Sequence, residues 1–349
     1  MSSPKIFITG ASGYVGGDVL HALLSAHPDW ERSITVLLRN RSQESAFRTR
    51  YPALNLIFAT YDDREGTAAI EDEVAKNELV LHFAVSADHL PSAKAIVSGL
   101  KRRGGGIYIH TSGTDVLLDP RASLSPPKDG VRVIDDWDGI GEVTSLPDDA
   151  PHREIDKFVL ASGSDTLKTA IICPSTIYGT GRGPVSRRSD QIYKFTELIL
   201  REGKGLQLED GRTFWNSVHI FDLSRLYVAL IEDAIAGTEA GKAKATWNGE
   251  GYYLVESGTY FWGDVARWIT REAHALGLLA AGEEEVTSVG MEDRGIFAPA
   301  GRPVINYAVR AEAVRARRLL GWTPVEGSLE EEIPAIVRAE ARALGFQGC

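Results

Sequence analysis

Two cationic side chains lie one helical turn apart in the segment PHREIDKFVL. The apolar residues of this segment predict a short amphipathic helix whose buried face carries Ile155, Phe158 and Val159. Arg153 and Lys157 are then expected together on the opposite face. Arginine has no hydrogen-bond acceptor and effectively never releases its proton in a protein. Arg153 could therefore hold an anion or stabilise negative charge, but it could not act as a general acid or base.

A glycine-rich turn follows the first strand-like run of the chain. The segment ITGASGYVGG places Gly10, Gly13 and Gly16 at the spacing GxxGxxG, between a strand pattern and a helix pattern. Without Cβ atoms at these positions, backbone N–H groups and the helix N-terminus can approach a pyrophosphate closely. Together with its strand and helix context, this spacing predicts dinucleotide binding.

Two arginines follow the second strand pattern, in the segment TVLLRNRSQ. Arg39 and Arg41 occupy the place where an NAD-selective site usually offers an acid to the ribose 2′-hydroxyl. A guanidinium there would instead pair with a 2′-phosphate, which favours NADP(H), with NAD(H) the less favoured cofactor. The alternative is that both arginines are simply solvated surface residues.

Composition narrows the class of protein. The chain has 349 residues, 43% hydrophobic and 25% charged, enough for one large core or for a large and a small one. Its net charge of -10 argues against nucleic acid or an anionic membrane as a partner, and a small-molecule substrate fits better. The two cysteines, Cys173 and Cys349, allow no disulfide framework. With no metal-ligand spacing and no export signal, we expect a metal-free cytoplasmic protein.

Strand patterns alternate with helix patterns in the first half of the chain. The strand-like runs are KIFIT, SITVLL, LNLIFA, ELVLHFA, GGIYIHT and LKTAIIC. This alternation predicts an α/β fold, a Rossmann-type doubly wound parallel sheet covered on both faces. Residues 115–150 interrupt the pattern with Pro126, Pro127 and a set of acids that includes Asp136, and we interpret them as an irregular surface insertion.

Beyond about residue 180 the alternation becomes irregular. Helical patterns occur near residues 190–202, 222–236, 259–277 and 328–344. We therefore expect a dinucleotide-binding domain over residues 1–180, to which parts of 212–256 return, and a smaller, mainly substrate-binding lobe over residues 181–349.

Several segments along nearly the whole chain carry a family resemblance: TGASGYVGG, YDDRE, LHFA, YIHTSGT, Lys157, ICPSTIYGTGRGP, VHIFDLSRLYVAL and LLGWTPVEGSLEEEI. With them the chain resembles the extended short-chain dehydrogenase/reductases, the epimerase/dehydratase-like group. The resemblance implies that Asp62 and Asp63 lie by the adenine and that Phe83, Ala84 and Val85 line the ribose and pyrophosphate. Further cofactor contacts are implied for Ser12, Tyr14, Val15, Lys157, Pro174 and Thr176.

The catalytic residues of that family are a Ser or Thr, a Tyr, and a Lys one helical turn after the Tyr. The Lys holds the nicotinamide ribose and lowers the pKa of the Tyr, which exchanges a proton with the substrate. By the resemblance, Ser112 and Lys157 match the Ser and the Lys, and the Tyr position falls on Arg153. A redox enzyme would then need another donor: His152, Tyr178, or a water held by Ser112 and Thr114.

Three functions remain open. The first is an NADP(H)-dependent oxidoreductase with this altered proton relay. The second is an NADP(H)-binding regulatory or redox-sensor protein without turnover, similar to the NmrA-like relatives. The third is an epimerase or dehydratase, which needs a proton acceptor even more and ranks last.

The substrate is indicated only in outline. Trp215 occupies the place where sugar-nucleotide epimerases of this family usually carry a diphosphate-binding arginine, and an indole suits an apolar or aromatic ligand. Arg212 could compensate for the missing arginine. The expected pocket residues are Ser86, Ala87, Thr114, Tyr178, Phe214 and Trp215. Arg182, Arg187 and Arg188 form a basic loop that either grips a substrate anion or is simply solvated. By analogy with the family, a homodimer would use the helices near residues 88–103 and 151–163.

Overall fold

A mostly parallel sheet of seven strands forms the centre of the molecule. The computed structural model describes residues 3–118, 133–240, 243–280, 282, 285–300 and 310–346. Its strands are β1 (Ile6–Thr9), β2 (Ile34–Leu38), β3 (Asn55–Phe58), β4 (Leu79–His82), β5 (Gly106–Thr111), β6 (Val133–Asp135), β7 (Leu167–Pro174), β8 (Thr176–Tyr178), β9 (Gly205–Leu208), β10 (Phe214–His219), β11 (Tyr252–Val255), β12 (Gly258–Phe261), β13 (Val286–Val289) and β14 (Arg310–Glu312). Its α-helices are α1 (Tyr14–Ala26), α2 (Glu44–Arg50), α3 (Arg64–Val74), α4 (Leu90–Arg103), α5 (Ile140–Val143), α6 (Arg153–Ala161), α7 (Gln191–Glu202), α8 (Ile220–Ala240), α9 (Trp262–Ala275), α10 (Arg315–Leu320) and α11 (Leu329–Ala343).

The strand order of the central sheet is β3-β2-β1-β4-β5-β7-β11, and neighbouring strands pair in parallel. The six runs identified in the sequence are its first six strands, so the predicted fold class is confirmed. The order reverses between β1 and β4, and ligands of such sheets bind at that reversal, beyond the carboxyl ends of the strands.

Side chains of the sheet alternate between two cores. On β1, Ile6 and Ile8 enter a core that α1 and α8 cover, whereas Phe7 enters the core under α3, α4 and α6. Both faces of the sheet are therefore buried, and the loops at the strand ends are left as the place for a site.

A second hydrophobic core lies apart from the central sheet. Helices α7, α9 and α11 pack around Phe195, Trp215 and Trp262, beside the three-stranded sheet β12-β10-β8. The helices predicted near 190–202 and 328–344 form as α7 and α11. In the segment predicted as a helix over 259–277, residues 259–261 belong to β12, which pairs with β10, and α9 follows.

The acidic insertion is more ordered than the sequence predicts. Pro126 and Pro127 lie outside the described residues, but β6 pairs in parallel with β14, and α5 follows β6. Asp136 is completely buried, and its carboxylate accepts hydrogen bonds from the backbone N–H groups of Leu254, Val314 and Arg315 at 2.7–2.9 Å. The expectation of an irregular surface segment is therefore wrong for this part, because backbone donors satisfy a buried acid.

Among the described helices, none has the length and apolar character that crossing a membrane requires.

Candidate functional site

The glycine-rich turn brings the ends of β1 and β4 into close contact. Gly10 has a φ of 75°, and a Cβ atom there would lie 2.6 Å from the backbone nitrogen of Ala84. A Cβ at Gly16 would lie 2.5 Å from the Gly10 carbonyl oxygen, whereas one at Gly13 would meet that oxygen at 3.1 Å and nothing else within 4 Å. The N-terminus of α1 thus opens onto a turn whose glycines leave the backbone accessible, which fits a pyrophosphate.

The strand end opposite this turn is strained. Val85 has a φ of 49°, in the left-handed region that a β-branched residue rarely adopts, and its side chain is 57% exposed. Ser86 follows and donates a hydrogen bond from its hydroxyl to the carbonyl oxygen of Thr111 at 2.6 Å. Phe83 and Ala84 are half-buried beside Val85. Strained backbone of this kind is often concentrated at functional sites.

The residues expected around the adenosine are exposed. Arg39 follows β2 directly and has no hydrogen bond or ion pair among the described residues, whereas the guanidinium of Arg41 lies 4.2 Å from the centre of the Phe58 ring. Asp63 caps α3 by accepting a hydrogen bond from the backbone N–H of Gly66 at 2.6 Å, so its carboxylate is already engaged. Asp62 accepts a hydrogen bond from the Thr60 hydroxyl at 2.5 Å.

A cavity of about 490 Å³ lies beyond the carboxyl ends of β5 and β7. It brings together residues that the sequence singled out, namely Tyr14, Val15, Ser112, Thr114, His152, Pro174, Thr176 and Trp215. Arg188 and Ser175 also line it, and the buried hydroxyl of Ser175 has no hydrogen-bond partner among the described residues. The cavity adjoins the glycine-rich turn through Tyr14, whose hydroxyl donates to the carbonyl oxygen of Gly179 at 2.6 Å.

His152 contributes an imidazole to the wall of this cavity. It precedes α6 with a φ of 63°, and its side chain is 8% exposed. Its Nδ1 atom lies 2.9 Å from a carboxylate oxygen of Asp88, and its Nε2 atom lies on the side of Gly113, where an added Cβ would be 3.6 Å away. The carboxylate orients the ring and leaves Nε2 toward the cavity.

Ser112 is held from behind by a buried acid. Its hydroxyl donates to Oδ2 of Asp156 at 2.9 Å, and the hydroxyl of Tyr252 donates to the same oxygen at 2.7 Å. Asp156 is fully buried, and burial raises its pKa to about 6, although these two hydrogen bonds oppose the rise.

The acid continues into a row of buried polar groups on β5 and β4. The Tyr108 hydroxyl lies between Nδ1 of His82, at 2.8 Å, and Nδ1 of His110, at 3.0 Å. Nε2 of His110 lies 3.8 Å from Oδ1 of Asp156. Burial lowers the pKa of His110 and lowers that of His82 to about 3, so both rings are neutral.

Comparison with known proteins identifies the family. Residues 6–100 match the model of the NAD dependent epimerase/dehydratase family. The protein named oxidase ucsJ, from an Acremonium species, is 36% identical in an alignment that covers 98% of this chain and 99% of that protein. The chain belongs to the NAD-dependent epimerase/dehydratase family. An uncharacterized Saccharomyces cerevisiae protein is 24% identical over 95% of this chain and 98% of its own length.

Solved structures share the fold. The UDP-glucose 4-epimerase of Thermotoga maritima has a TM-score of 0.63 at 14% identity, and the alignment covers 97% of this chain and 99% of that chain. The dTDP-glucose 4,6-dehydratase of Streptomyces venezuelae, with NAD bound, has a TM-score of 0.64 at 18% identity and covers 97% of both chains. The family resemblance seen in the sequence is thereby confirmed, and the chain is an enzyme of the NAD(P)-dependent oxidoreductase type in the short-chain dehydrogenase/reductase superfamily.

Lys157 and Arg153, the two candidates on α6, are engaged away from this cavity. Nζ of Lys157 lies 2.7 and 3.0 Å from the carboxylate oxygens of Asp148, and the lysine side chain is 56% exposed. Arg153 is buried, and its guanidinium donates to the carbonyl oxygens of Leu146 and Thr144 at 3.1 and 2.6 Å. Neither side chain lines the cavity.

The side chains of this segment on the Ser112 side are those of His152 and Asp156, each one position before Arg153 and Lys157. His152 and Asp156 have the same one-turn spacing, and the buried face of α6 includes Asp156 as well as Ile155 and Val159. Lys157 and Arg153, which the sequence places at the site, therefore do not line this cavity, since a shift of one residue turns a helical side chain by about 100°. The same side chain cannot contact the nicotinamide ribose while it binds Asp148.

Other expected site residues are engaged elsewhere. The Tyr178 hydroxyl donates to the carbonyl oxygen of Gly327 at 2.7 Å, and burial raises its pKa to about 12, so it is not placed as a donor to the cavity. Arg182 forms an ion pair with the buried Asp18 at 2.6 Å. Arg188 binds Glu340 through two contacts of 2.8 Å. The arginines of the basic loop are thus largely committed to the protein itself, since Nε of Arg187 also donates to the Gly181 carbonyl oxygen.

Sequence reasoning missed Asp88, His110, Tyr252 and Asp156. One signal was available: Tyr108 and His110 on β5 and Ser112 directly after it alternate along the chain, which places them on one face of the sheet. A row of polar residues on one face of a buried strand is unusual and indicates a shared environment.

Proposed function

We propose that this protein transfers a hydride between NADP(H) and the alcohol or carbonyl carbon of a small, apolar or aromatic substrate. In this proposal His152 is the general acid and base in place of the family tyrosine. The observation that carries it is the pairing of His152 Nδ1 with Asp88 at 2.9 Å, which leaves Nε2 beside a cavity that Ser112 also lines.

Asp88 would fix the tautomer of the ring. With Nδ1–H donating to the carboxylate, Nε2 carries a lone pair and accepts the proton of a substrate hydroxyl. In the reverse direction the protonated ring returns that proton to a carbonyl oxygen. Because the imidazole itself would accept and return the proton, the lysine that lowers the pKa of a tyrosine is not needed.

Ser112 would position the substrate oxygen. Its hydroxyl proton is directed to Asp156, so its oxygen lone pairs remain for a hydroxyl in the cavity. Such a contact holds the reacting carbon in one orientation relative to His152.

The cofactor would lie along the glycine-rich turn, with Gly10 and Gly13 under the pyrophosphate and Val85 beside the ribose. When bound, the nicotinamide supplies the two-electron step as a hydride acceptor or donor. The exposed Arg39 supports a contact with a 2′-phosphate, and hence NADP(H) rather than NAD(H).

Trp215 supports the proposed class of substrate. Its indole is 1% exposed and lines the cavity. The solved relatives include enzymes that act on UDP-glucose and dTDP-glucose, but an indole cannot pair with a diphosphate, and Arg188 is engaged by Glu340. The relative named an oxidase supports the oxidation direction, from alcohol to carbonyl.

Two alternatives compete with this proposal. A redox sensor without turnover is compatible with the absence of the family tyrosine, but it gives the Asp88–His152 pair no role. An epimerase or dehydratase is compatible with the fold of the solved relatives, and it also needs an acid and base.

The test has two parts. Calorimetric titration with NADPH, NADP⁺, NADH and NAD⁺ should show binding of all four and a preference for the phosphorylated pair. A screen of aryl and alkyl alcohols with NADP⁺, followed at the nicotinamide absorbance, should then reveal turnover that His152→Gln lacks and Lys157→Ala keeps. Tight cofactor binding without turnover of any alcohol or ketone would instead support the sensor.

A further inference from the structure

A chain of polar side chains leads from the cavity into the centre of the sheet. Its members are Ser112, Asp156, His110, Tyr108 and His82, and all are buried. Burying so many polar groups is costly unless each is satisfied. Three atoms of this chain have no hydrogen-bond partner among the described residues, Nε2 of His82, Nε2 of His110 and Oδ1 of Asp156, and the last two face each other at 3.8 Å.

Tyr108 links the protonation of the two imidazoles. Its hydroxyl has a single proton but lies within hydrogen-bonding distance of Nδ1 of both His82 and His110. One ring must therefore donate to the phenol oxygen while the other accepts from it. If Tyr108 donates to His82, the proton of His110 is on Nδ1 and its Nε2 is bare. If Tyr108 donates to His110, then Nε2 of His110 carries the hydrogen.

The second arrangement fits both forms of Asp156. An Nε2–H on His110 complements Oδ1 of the carboxylate, and it still complements Oδ1 when the proton of Asp156 is on Oδ2, the oxygen that Ser112 contacts. A shift of roughly 1 Å would bring the two atoms into the ordinary hydrogen-bonding range. The chain can therefore stabilise both the carboxylate and the neutral acid without a change of histidine tautomer, because Oδ1 accepts a hydrogen bond in both forms.

Asp156 has one hydrogen-bonded connection to the cavity among the described residues. Ser112 lines the cavity and donates to Oδ2, whereas Tyr252, the other donor to this oxygen, is fully buried and does not line it. The titratable and hydrogen-bonding groups around Asp156 are His110 on β5, Ser112 directly after β5, Tyr252 on β11, Cys173 on β7, and His152 and Arg153 beside it on the same helix segment.

We propose that Asp156 is a second proton acceptor of the active site, reached through the hydroxyl of Ser112, and that the His110, Tyr108 and His82 chain accommodates it in both protonation states. A group in the cavity gives its proton to Ser112 Oγ as the Ser112 proton passes to Oδ2 of Asp156. One O–H bond breaks and one forms at each step, and the carboxylate becomes a neutral acid. The meaning of this relay for catalysis rests on the proposed function, but its existence does not.

Infrared difference spectroscopy of the full chain without ligands tests the relay directly. Between pH 4.5 and 8 the wild type should lose a protonated-carboxyl band, and Asp156→Asn should lack that band. Asp136 is the matched control, because burial raises the pKa of both acids to about 6, whereas Asp136 is held by backbone N–H groups and does not contact Ser112. Asp136→Asn should leave the Asp156 band in place.

Two milder variants keep the test decisive if Asp156→Asn does not fold. Tyr252→Phe removes a donor to the carboxylate and should raise the midpoint of the Asp156 band without moving the Asp136 band. Ser112→Val should slow the rise of the Asp156 band after a pH jump, since the hydroxyl path is blocked. An unchanged rate in Ser112→Val would overturn the route through Ser112.

Nitrogen NMR of the histidines tests the role of the chain. His110 should carry its proton on Nε2 from pH 4.5 to 8, and the Nε2 resonance should shift with the same midpoint as the Asp156 band. A proton on Nδ1 of His110, or an Nε2 resonance that stays constant while Asp156 titrates, would overturn the proposed role of the chain. These measurements need no substrate, so their failure is distinguishable from failure of the proposed oxidoreductase activity.

Discussion

The imidazole of His152 and the carboxylate of Asp88 form a pair in which Nδ1 and the carboxylate oxygen are 2.9 Å apart. The two residues come from different elements, the N-terminus of α6 and the segment after β4. The pair therefore forms only when the helix docks on the sheet, and it orients the imidazole at the cavity.

Replacing His152 by Gln should lower kcat by about 10²- to 10⁴-fold, because the general acid and base is lost. Asp88→Asn keeps the ring but removes its orienting charge, and we expect a loss of about 10- to 100-fold. Steady-state kinetics with the best alcohol from the screen measures both effects. Cofactor affinity, measured by calorimetry, should stay within error in both variants. A His152→Gln enzyme with wild-type kcat would exclude the ring from catalysis.

Lys157→Ala should leave kcat and KM unchanged, because the ammonium binds Asp148 at the surface. If Lys157 instead held the nicotinamide ribose, as the family resemblance implies, this variant would lose activity and cofactor binding severely. The same assay on the two alanine variants Lys157→Ala and Ser112→Ala separates these outcomes, since Ser112 lines the cavity in either case. A strong loss of activity in Lys157→Ala would support the catalytic role that the sequence predicts for this lysine.

Arg39→Ala should weaken NADPH binding by about 10- to 100-fold and leave NADH binding unchanged, since it removes charge-assisted hydrogen bonds to a 2′-phosphate. Arg41→Ala is the control, because this guanidinium stacks on Phe58. Calorimetric titration of both variants with both cofactors gives the comparison. Equal weakening of NADPH by the two changes would mean that the arginines act only as diffuse positive charge.

The raised pKa of Asp156 predicts how its contribution to the free energy of unfolding changes with pH. Its pKa is raised in the folded protein from 3.8 to about 6, so its contribution is fully present below about pH 4 and is lost as the pH rises through 6. Asp156→Asn should therefore raise the free energy of unfolding at pH 8 by up to about 3 kcal/mol and leave it unchanged near pH 4. Urea denaturation at both pH values measures this. The exposed Asp62→Asn should show no such difference, and a variant less stable than wild type at pH 8 would contradict the prediction.

The strands of the central sheet could be predicted from the sequence, whereas the face of α6 that reaches the cavity could not. Each parallel strand is a continuous apolar run, because both faces of the sheet are buried, and such runs are visible without knowledge of their partners. On α6 the periodicity of Ile155, Phe158 and Val159 defines the apolar face only approximately. Asp156 lies on that face because Ser112 and Tyr252 bind it, and those partners come from distant parts of the chain.

The cofactor side of the site was easier to anticipate than the catalytic side. A glycine is required wherever a Cβ would collide with backbone, as at Gly10, and the pattern of such glycines is local in sequence. Buried acids and histidines have no local signature of this kind. Asp136 looked like one of several surface acids, and only the backbone N–H groups that converge on it from residues 254, 314 and 315 explain its burial.

The hydrogen bonds of Asp136 also limit which segments of this enzyme can be exchanged with those of its relatives. Because one carboxylate joins the insertion to β11 and to the start of α10, and β6 pairs with β14, these segments form a single exchange unit although more than 100 residues separate them in the chain. A chimera that takes residues 133–143 from another family member keeps these backbone donors only if the chain path at residues 310–318 is preserved, so both segments should come from the same donor.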